Sequence, residues 1–315
     1  MNYPMLQVDR PVDKRINKSK ALKILMTVFT KIMPKYGFNI RDEQIDLAEH
    51  ILDILERRGI TLAEAEVGTG KTLAYLIAAI FIKLGRINDS HNMSIYPEMS
   101  YKDMQKMPIV VATSSIALQK AIITEYIPQL SKILLENGVI TKPITAVLRK
   151  GRENYICQRK LKTYMSSVAD RAERQILEQL FDSNAFDFAE VGEFEITPKI
   201  KKSLSVSGRC FDTCPNRDKC RYQEYMEQAQ SPDTDIFVLN QNLLLADTIR
   251  RADNKQALIP NYQMLIIDEA HKLLSVARSM YGVELSSEAS TELIEKVYDI
   301  TDMLNAQNST VIFFG

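Results

Sequence analysis

The feature that most restricts the fold of this chain is the segment AEVGTGKT at residues 65–72. It lies between a short apolar stretch at residues 60–65, which predicts a strand, and an apolar run that predicts a helix over residues 73–84. The pattern is typical of a phosphate-binding loop, with alanine in the position of the first glycine. Because such loops connect a strand to a helix in parallel sheets, the segment predicts an α/β fold.

The residue types of this loop have chemical reasons. Two glycines allow backbone N–H groups to turn around phosphate oxygens, and the positive end of the following helix attracts the same anion. Lys71 is expected to contact the β- and γ-phosphates of ATP, and the Thr72 hydroxyl to bind Mg²⁺. The predicted nucleotide-binding residues of the loop are Ala65, Gly68, Thr69, Gly70, Lys71 and Thr72.

A buried strand followed by acidic residues supplies the second half of a nucleotide site. Residues 264–271 read MLIIDEAH, and this DEAH tetrad is a signature of superfamily 2 helicases. Asp268 is predicted to hold Mg²⁺, and Glu269 to orient and activate the attacking water. His271 is predicted to relay the state of the nucleotide to bound substrate. Upstream, the amide of Gln44 in the RDEQ segment can donate to and accept from an adenine edge, as in the helicase Q motif.

The rest of the chain predicts helices alternating with short buried strands. Besides residues 60–65, apolar stretches predict strands at 109–113, 144–148, 236–239 and 264–267, the last being the most deeply buried. Helices are predicted at 21–36, 42–58 and 117–135, residues 1–20 as a poorly ordered lead-in, and 85–107 as an exposed loop. This order favours a parallel sheet covered by helices.

Composition excludes several classes of protein. The 40 basic and 40 acidic residues cancel, which excludes a histone-like or acidic-tail protein. No apolar run reaches the ~18 residues of a membrane span, and no apolar leader is visible near the N-terminus. We therefore expect a cytoplasmic protein with no membrane partner and with reduced cysteines.

The four cysteines form a pattern of their own. Cys157 is remote, whereas Cys210, Cys214 and Cys220 are separated by only three and five residues. Four thiolates are the full set for one [4Fe–4S] cluster or one structural zinc. Zinc sites usually have two tight pairs, so the spacing favours a cluster, with zinc and unligated thiols as the alternatives.

Basic residues accompany these cysteines. Residues 149–162 and 199–221 each carry a net charge of +5, and residues 170–195 between them carry −6. A cluster that joins the two basic arms would form a positive patch for nucleic acid, on which Tyr155, Phe211 and Tyr222 could stack bases. A solvated surface with core aromatics is the alternative.

Several segments together resemble one family, the DinG/XPD-like iron–sulfur DNA helicases, and the bacterial DinG type in particular. KGRENYIC at 150–157 resembles the start of their iron–sulfur domain, and NQNLLLAD at 240–247 resembles a later segment in which Gln241 replaces the common histidine. TSSIALQ at 113–119 resembles their motif Ia, a contact to the DNA backbone. The similarity covers residues 36–275.

The resemblance implies a RecA-like P-loop domain interrupted by a mostly helical iron–sulfur domain. The implied boundaries are 1–148 and 226–275 for the two parts of the RecA-like domain, 149–225 for the [4Fe–4S] domain, and 276–315 for the start of a helical arch domain. The inserted domain explains the long separation of Lys71 and Asp268 in sequence. The implied ligands are Cys157, Cys210, Cys214 and Cys220 for the cluster, and Thr72 and Asp268 for Mg²⁺.

The implied activity is ATP-dependent 5′→3′ translocation on single-stranded DNA with unwinding of duplex. Forked or flapped DNA is the expected substrate, and single-strand-binding protein or DNA-repair factors are expected partners. Since no second RecA-like domain follows His271, this chain alone is expected to turn ATP over weakly. The alternative is a cluster-bearing, ATP-responsive single-strand binding module that does not unwind DNA.

Overall fold

The computed structural model describes residues 20–56, 60–66, 68–83, 106–191, 196–206, 210, 214–229, 231 and 233–281. The chain divides into two compact units, Met1–Ala270 and His271–Gly315. Most of the loop predicted at 85–107 lies outside the described residues, as do the lead-in, Val67, Phe211 and most of the arch segment predicted at 276–315.

In the residues that the structure describes, the first unit contains helices and four strands. The helices are α1 (Lys20–Thr27, extended by a π-helical turn, Val28–Ile32, and a 3-10 turn, Met33–Tyr36), α2 (Asp42–Glu56), α3 (Lys71–Lys83), α4 (Ile116–Ala121, extended by a π-helical turn, Ile122–Tyr126), α5 (Ile127–Glu136), α6 (Gln158–Ser167), α7 (Arg171–Asp182), α8 (Pro198–Leu204), α9 (Arg221–Ala229) and α10 (Gln241–Ala252). The strands are β1 (Ile109–Thr113), β2 (Ala146–Arg149), β3 (Ile236–Asn240) and β4 (Met264–Ile267). Short 3-10 turns lie at Arg152–Asn154, Phe188–Glu190, Arg217–Lys219 and, at the boundary with the second unit, Ala270–Lys272.

The four strands form one parallel sheet in the order β2-β3-β1-β4. Val111 of β1 lies opposite Val238 on one side and Ile266 on the other. Every residue of β1 is buried, as are four of the five residues of β3. These continuous apolar runs are what a parallel sheet covered on both faces requires, so the predicted α/β class is confirmed.

Helices cover both faces of the sheet. Ile109 and Val111 point to the face packed by helices α1 to α5, whereas Val110 and Ala112 point to the face packed by α10. A separate apolar core, formed by α6, α7 and α8, lies within the segment that holds the first cysteine and the acidic connector. None of the described helices is long and apolar enough to cross a membrane.

Two sequence predictions about strands are wrong. Residues 60–66 have no regular secondary structure, and Ile60 and Leu62 are 93% and 92% exposed. β4 is also not the most deeply buried strand: it ends the described sheet, and only Met264 of its four residues is buried.

A buried carboxylate holds the loop that leads into β4. Asp247 of α10 is 1% exposed and accepts hydrogen bonds from the backbone N–H groups of Leu258 (2.6 Å) and Ile259 (3.1 Å). Arg251, one helical turn later, donates to the same carboxylate at 2.6 Å and to the carbonyl of Ile259 at 2.7 Å. This network fixes the chain immediately before the DEAH strand.

The second unit contains one described helix, α11 (Leu273–Tyr281). None of its residues is buried.

Candidate functional site

The phosphate-binding loop has the backbone geometry that its glycines predict. Gly68 and Gly70 have φ angles of +92° and +85°, in the left-handed region that side chains with a Cβ rarely adopt. Lys71 begins α3, and its ammonium group donates to the carbonyl of Ala65 at 2.8 Å. The Thr69 hydroxyl donates to the carbonyl of Glu66 at 3.0 Å. The loop therefore closes on itself, with the lysine held across its opening.

The RDEQ segment contacts this loop directly. Gln44 is 4% exposed, and its amide donates to the carbonyl of Gly70 at 2.8 Å. Arg41 donates to the carbonyl of Gly68. A Cβ added at Gly70 would lie 2.2 Å from the Gln44 amide nitrogen, so the absence of a side chain at residue 70 makes room for Gln44. Helix α2 thus brings the predicted adenine-recognition residue against the phosphate loop.

The DEAH strand brings its first acid to the carboxyl edge of the sheet. The Asp268 backbone N–H donates to the carbonyl of Ala112 at 2.8 Å, and its carboxylate accepts from the Thr113 hydroxyl at 3.1 Å. Burial raises the pKa of Asp268 and the charge of Glu269 adds to this, whereas the Thr113 hydrogen bond and the Lys71 charge act in the opposite direction. Asp268 is therefore a desolvated carboxylate within the field of the loop lysine, an arrangement suited to a metal ion.

An open cavity of about 420 Å³ joins the predicted nucleotide-site residues. Its walls include Gln44, four residues of the loop (Gly68, Gly70, Lys71 and Thr72) and Glu269. A cavity of this size lies within the range of small-molecule sites. Residues far apart in sequence therefore line one cavity. Asp268 is the residue directly before Glu269, which lines this cavity. His271 belongs to the second unit and is exposed.

Sequence reasoning missed one residue of this edge. Gln241 is fully buried, and its amide donates to the carbonyls of Asp268 (2.9 Å) and Glu269 (3.1 Å). The sequence singled Gln241 out only as a departure from histidine. Its place directly after a buried strand was the signal that it lies at the same edge as the DEAH acids.

The four cysteines are reduced and half-buried. Burial raises the pKa of Cys210, and the other three thiols add to this effect, so each of the three lies close enough to act on Cys210. Within the described residues, however, no group of three or more His, Cys, Asp or Glu side chains is arranged so that it could hold a metal ion. Metal binding stays a prediction.

An aromatic cluster lies beside the cysteines and corrects the stacking prediction. Tyr155 and Tyr222 are 3% and 7% exposed and pack with Cys157, Cys210 and Cys220, so as placed they are core residues that bases cannot reach. The ring centroids of Tyr155 lie 4.9–5.2 Å from those of Phe186, Tyr222 and Tyr225.

Hydrogen bonds tie this cluster to the sheet. The Lys150 backbone N–H donates to the Tyr155 hydroxyl at 3.3 Å, Tyr155 donates to the Tyr225 hydroxyl at 2.9 Å, and Tyr225 donates to the carbonyl of Leu148 in β2. The cysteine region is thereby joined to the end of β2.

The basic residues of the two arms divide between core and surface. Arg149 is 5% exposed and donates to Met226 and to the carbonyl of Leu258, so it is removed from the predicted nucleic-acid patch. Lys150 pairs with Asp187. Among the described residues of the arms, the exposed basic side chains are Arg152, Arg159, Lys162, Lys199, Lys202, Arg217 and Lys219.

The DEAD_2 family model matches residues 136–290 of this chain. This range begins at the end of α5 and includes all four cysteines and the DEAH strand.

Curated proteins are similar over most of this chain. It is 27% identical to the ATP-dependent DNA helicase YoaA of Haemophilus influenzae, with 83% of this chain and 37% of that protein covered. It is 27% identical to the ATP-dependent helicase DinG of Mycobacterium tuberculosis, with 87% and 41% covered. It is 26% identical to the 3′-5′ exonuclease DinG of Bacillus subtilis, with 86% and 27% covered. The chain thus spans less than half the length of these relatives.

Proposed function

We propose that this chain, a DinG-like helicase sequence covering the N-terminal portion of such proteins, forms the ATP-binding part of an ATP-dependent DNA helicase. The observation that carries this proposal is the cavity lined by Gln44, Lys71, Thr72 and Glu269. A Gly-rich loop, a lysine, a hydroxyl and a carboxylate at one cavity are the groups that phosphoryl transfer from MgATP requires.

Each group has a defined role in this proposal. The backbone N–H groups of residues 68–71 and the Lys71 ammonium would bind the phosphates, for which Lys71 would exchange its hydrogen bond to Ala65. Thr72 and Asp268 would hold Mg²⁺, and Glu269 would orient the attacking water. Because burial already disfavours the charge of Asp268, a divalent cation would relieve that cost and favour the metal-bound form.

The cysteine region is proposed to hold one [4Fe–4S] cluster. Four half-buried thiols, of which three raise the pKa of the fourth, Cys210, supply the full ligand set. Each thiolate of such a cluster binds a different iron, so the four sulfur atoms need not converge on one point as they do around a single ion. The residues therefore fit a cluster, which when bound would join Cys157 to a segment that begins 53 residues later, at Cys210.

DNA is proposed as the substrate, and the exposed basic residues support this. Arg159 and Lys162 on α6 and the pair Arg217 and Lys219 near the cysteines face solvent and suit phosphate contacts. The motif Ia segment, at the carboxyl end of β1, is proposed as a second contact to the DNA backbone. By resemblance, translocation would run 5′→3′ along single strands.

A strand-displacement assay on the native-length polypeptide tests the helicase proposal. Duplexes with a 5′ or a 3′ single-stranded tail distinguish the polarity, and Glu269→Gln serves as the inactive control. Unwinding of the 5′-tailed duplex alone is expected. ATP-stimulated single-strand binding without unwinding of either substrate would instead favour the non-unwinding module.

Metal analysis tests the cluster proposal separately. Anaerobically purified protein is expected to contain about four iron and four sulfide per chain, and Cys214→Ser is expected to lower both. Protein that contains zinc and neither iron nor sulfide would contradict the proposal.

A further inference from the structure

Gln241 links two strands that are not neighbours in the sheet. It follows β3 directly, whereas its amide donates to the carbonyls of Asp268 and Glu269, which follow β4. β1 lies between β3 and β4, so no ladder hydrogen bond can connect them. The side chain therefore crosses the carboxyl edge of the sheet to reach the backbone that carries the two predicted catalytic acids.

That backbone needs an anchor. The last bond that guides β4 is the one from the Asp268 N–H to the carbonyl of Ala112. The next residue, Glu269, has a φ angle of +54°, a left-handed conformation that a residue with a side chain rarely adopts. The two hydrogen bonds from Gln241 hold the carbonyls on either side of this strained position.

We propose that Gln241 is a positioning residue for the magnesium and water steps of ATP hydrolysis. It acts through the backbone of Asp268 and Glu269 and fixes the direction of their carboxylates without touching the nucleotide. The proposal deepens the function proposed above and rests on it. A purely structural Gln241 would contribute to stability but would leave the metal-dependent part of nucleotide binding unchanged.

The chemistry of the anchor predicts a ranking of substitutions. Both carbonyl oxygens accept from the Gln241 amide, so Gln241→Leu removes both hydrogen bonds. Gln241→Glu sets a carboxylate against two carbonyl oxygens and should be worse. Gln241→His retains a ring N–H donor and should preserve most of the effect.

Nucleotide binding with and without metal tests the proposal. A fluorescent ATP analogue is titrated into the full chain in excess EDTA and in excess Mg²⁺, and the ratio of the two dissociation constants is compared among variants. Gln241→Leu is expected to reduce the affinity gained from Mg²⁺ by roughly 10–100-fold, as for other residues that orient metal ligands. Its affinity in EDTA should change little, and Gln241→His should restore most of the Mg²⁺ gain.

Asp235→Asn is the matched control. Asp235 is 2% exposed and accepts hydrogen bonds from the backbone and hydroxyl groups of Thr145 at the opposite, amino-terminal edge of the sheet. This variant should lose stability and keep the wild-type Mg²⁺ gain. An equal Mg²⁺ gain in wild type and Gln241→Leu would overturn the proposal. A wild-type chain that fails to bind the analogue at all would refute the ATP-binding function itself.

Amide hydrogen exchange gives a test that needs no ligand. In Gln241→Leu, the amides of residues 268–270 should exchange at least tenfold faster relative to those of β3, because their anchor is lost. Unchanged relative protection of residues 268–270 would also overturn the proposal, whatever the nucleotide affinity.

Discussion

Gly70→Ala tests how closely the adenine-recognition segment and the phosphate loop are coupled. Two different effects should add in this variant. Residue 70 has a φ angle of +85°, and a Cβ there would lie 2.2 Å from the amide nitrogen and 2.9 Å from the amide carbon of Gln44. The atoms it meets are the end of a flexible side chain, so we expect Gln44 to move while the loop backbone remains in place.

The cost follows from these two effects. A left-handed backbone disfavours alanine by roughly 1–2 kcal/mol. Displacement of Gln44 removes its 2.8 Å hydrogen bond to the carbonyl of Gly70, a loss of about 1 kcal/mol for a typical hydrogen bond. The free energy of unfolding should therefore fall by roughly 2–3 kcal/mol in Gly70→Ala.

Gly68→Ala separates the two effects. Residue 68 has nearly the same φ angle, +92°, but a Cβ there meets no other atom within 4 Å. This control should lose only the backbone contribution, roughly 1–2 kcal/mol. Urea unfolding of both variants, followed by circular dichroism, measures the difference.

A double-mutant cycle with Gln44→Ala completes the test. Once the Gln44 amide is absent, Gly70→Ala should cost about 1 kcal/mol less than it does in the wild type, because no hydrogen bond is left to lose. If Gly70→Ala costs no more than Gly68→Ala, and the cycle shows no coupling, then the contact between Gln44 and the loop does not exist in solution.

Two further changes test the edges of the site. Asp268→Asn should stabilise the metal-free chain at neutral pH, because the raised pKa of Asp268 means that folding disfavours its charged form. The gain in stability should shrink as the pH falls through that raised pKa, since the wild-type carboxyl is then protonated in the folded state. Urea unfolding in EDTA at several pH values measures this gain. Tyr225→Phe removes the hydroxyl that donates to the carbonyl of Leu148 and accepts from the Tyr155 hydroxyl. The free energy of unfolding should therefore fall by about 1–3 kcal/mol, with nucleotide affinity unchanged. Equal unfolding midpoints for this variant and the wild type would show that these tyrosine hydrogen bonds do not stabilise the fold.

The strands and helices that could be predicted are those in which the local spacing of apolar residues indicates which side chains are buried. β1 and β3 are short runs of apolar residues and are buried on both faces, and α2 places Ile45, Ala48 and Leu52 in the core at helical spacing. The nucleotide loop can also be predicted from the sequence, because phosphate binding requires its glycines and lysine within one short segment.

Burial that depends on neighbouring segments could not be predicted. Residues 60–65 have an alternating pattern, yet a strand also needs a partner for its ladder bonds, and the sequence contains no information on which edge is available. The exposure of β4 has the same origin, since its apolar residues resemble those of β1 but it ends the described sheet.

The chemistry of individual side chains also depended on long-range contacts. Arg149 and Tyr155 lie in a basic, aromatic segment that is typical of a nucleic-acid surface, but both are buried against α9, a helix about 70 residues later. The sequence singles out Gln241 only as a replacement for histidine. Only the sheet order shows that its amide reaches the DEAH backbone.

The proposed function depends first on ATP binding through the loop at residues 65–72. The most direct measurement is a calorimetric titration of ATP with Mg²⁺ into the purified chain, with GTP as the competitor and Lys71→Ala as the control. We predict saturable binding of one ATP per chain and no measurable binding of ATP to Lys71→Ala. The affinity for GTP should be lower than that for ATP, because the Gln44 amide matches an adenine edge. Equal ATP affinity in wild type and Lys71→Ala would contradict the proposed function.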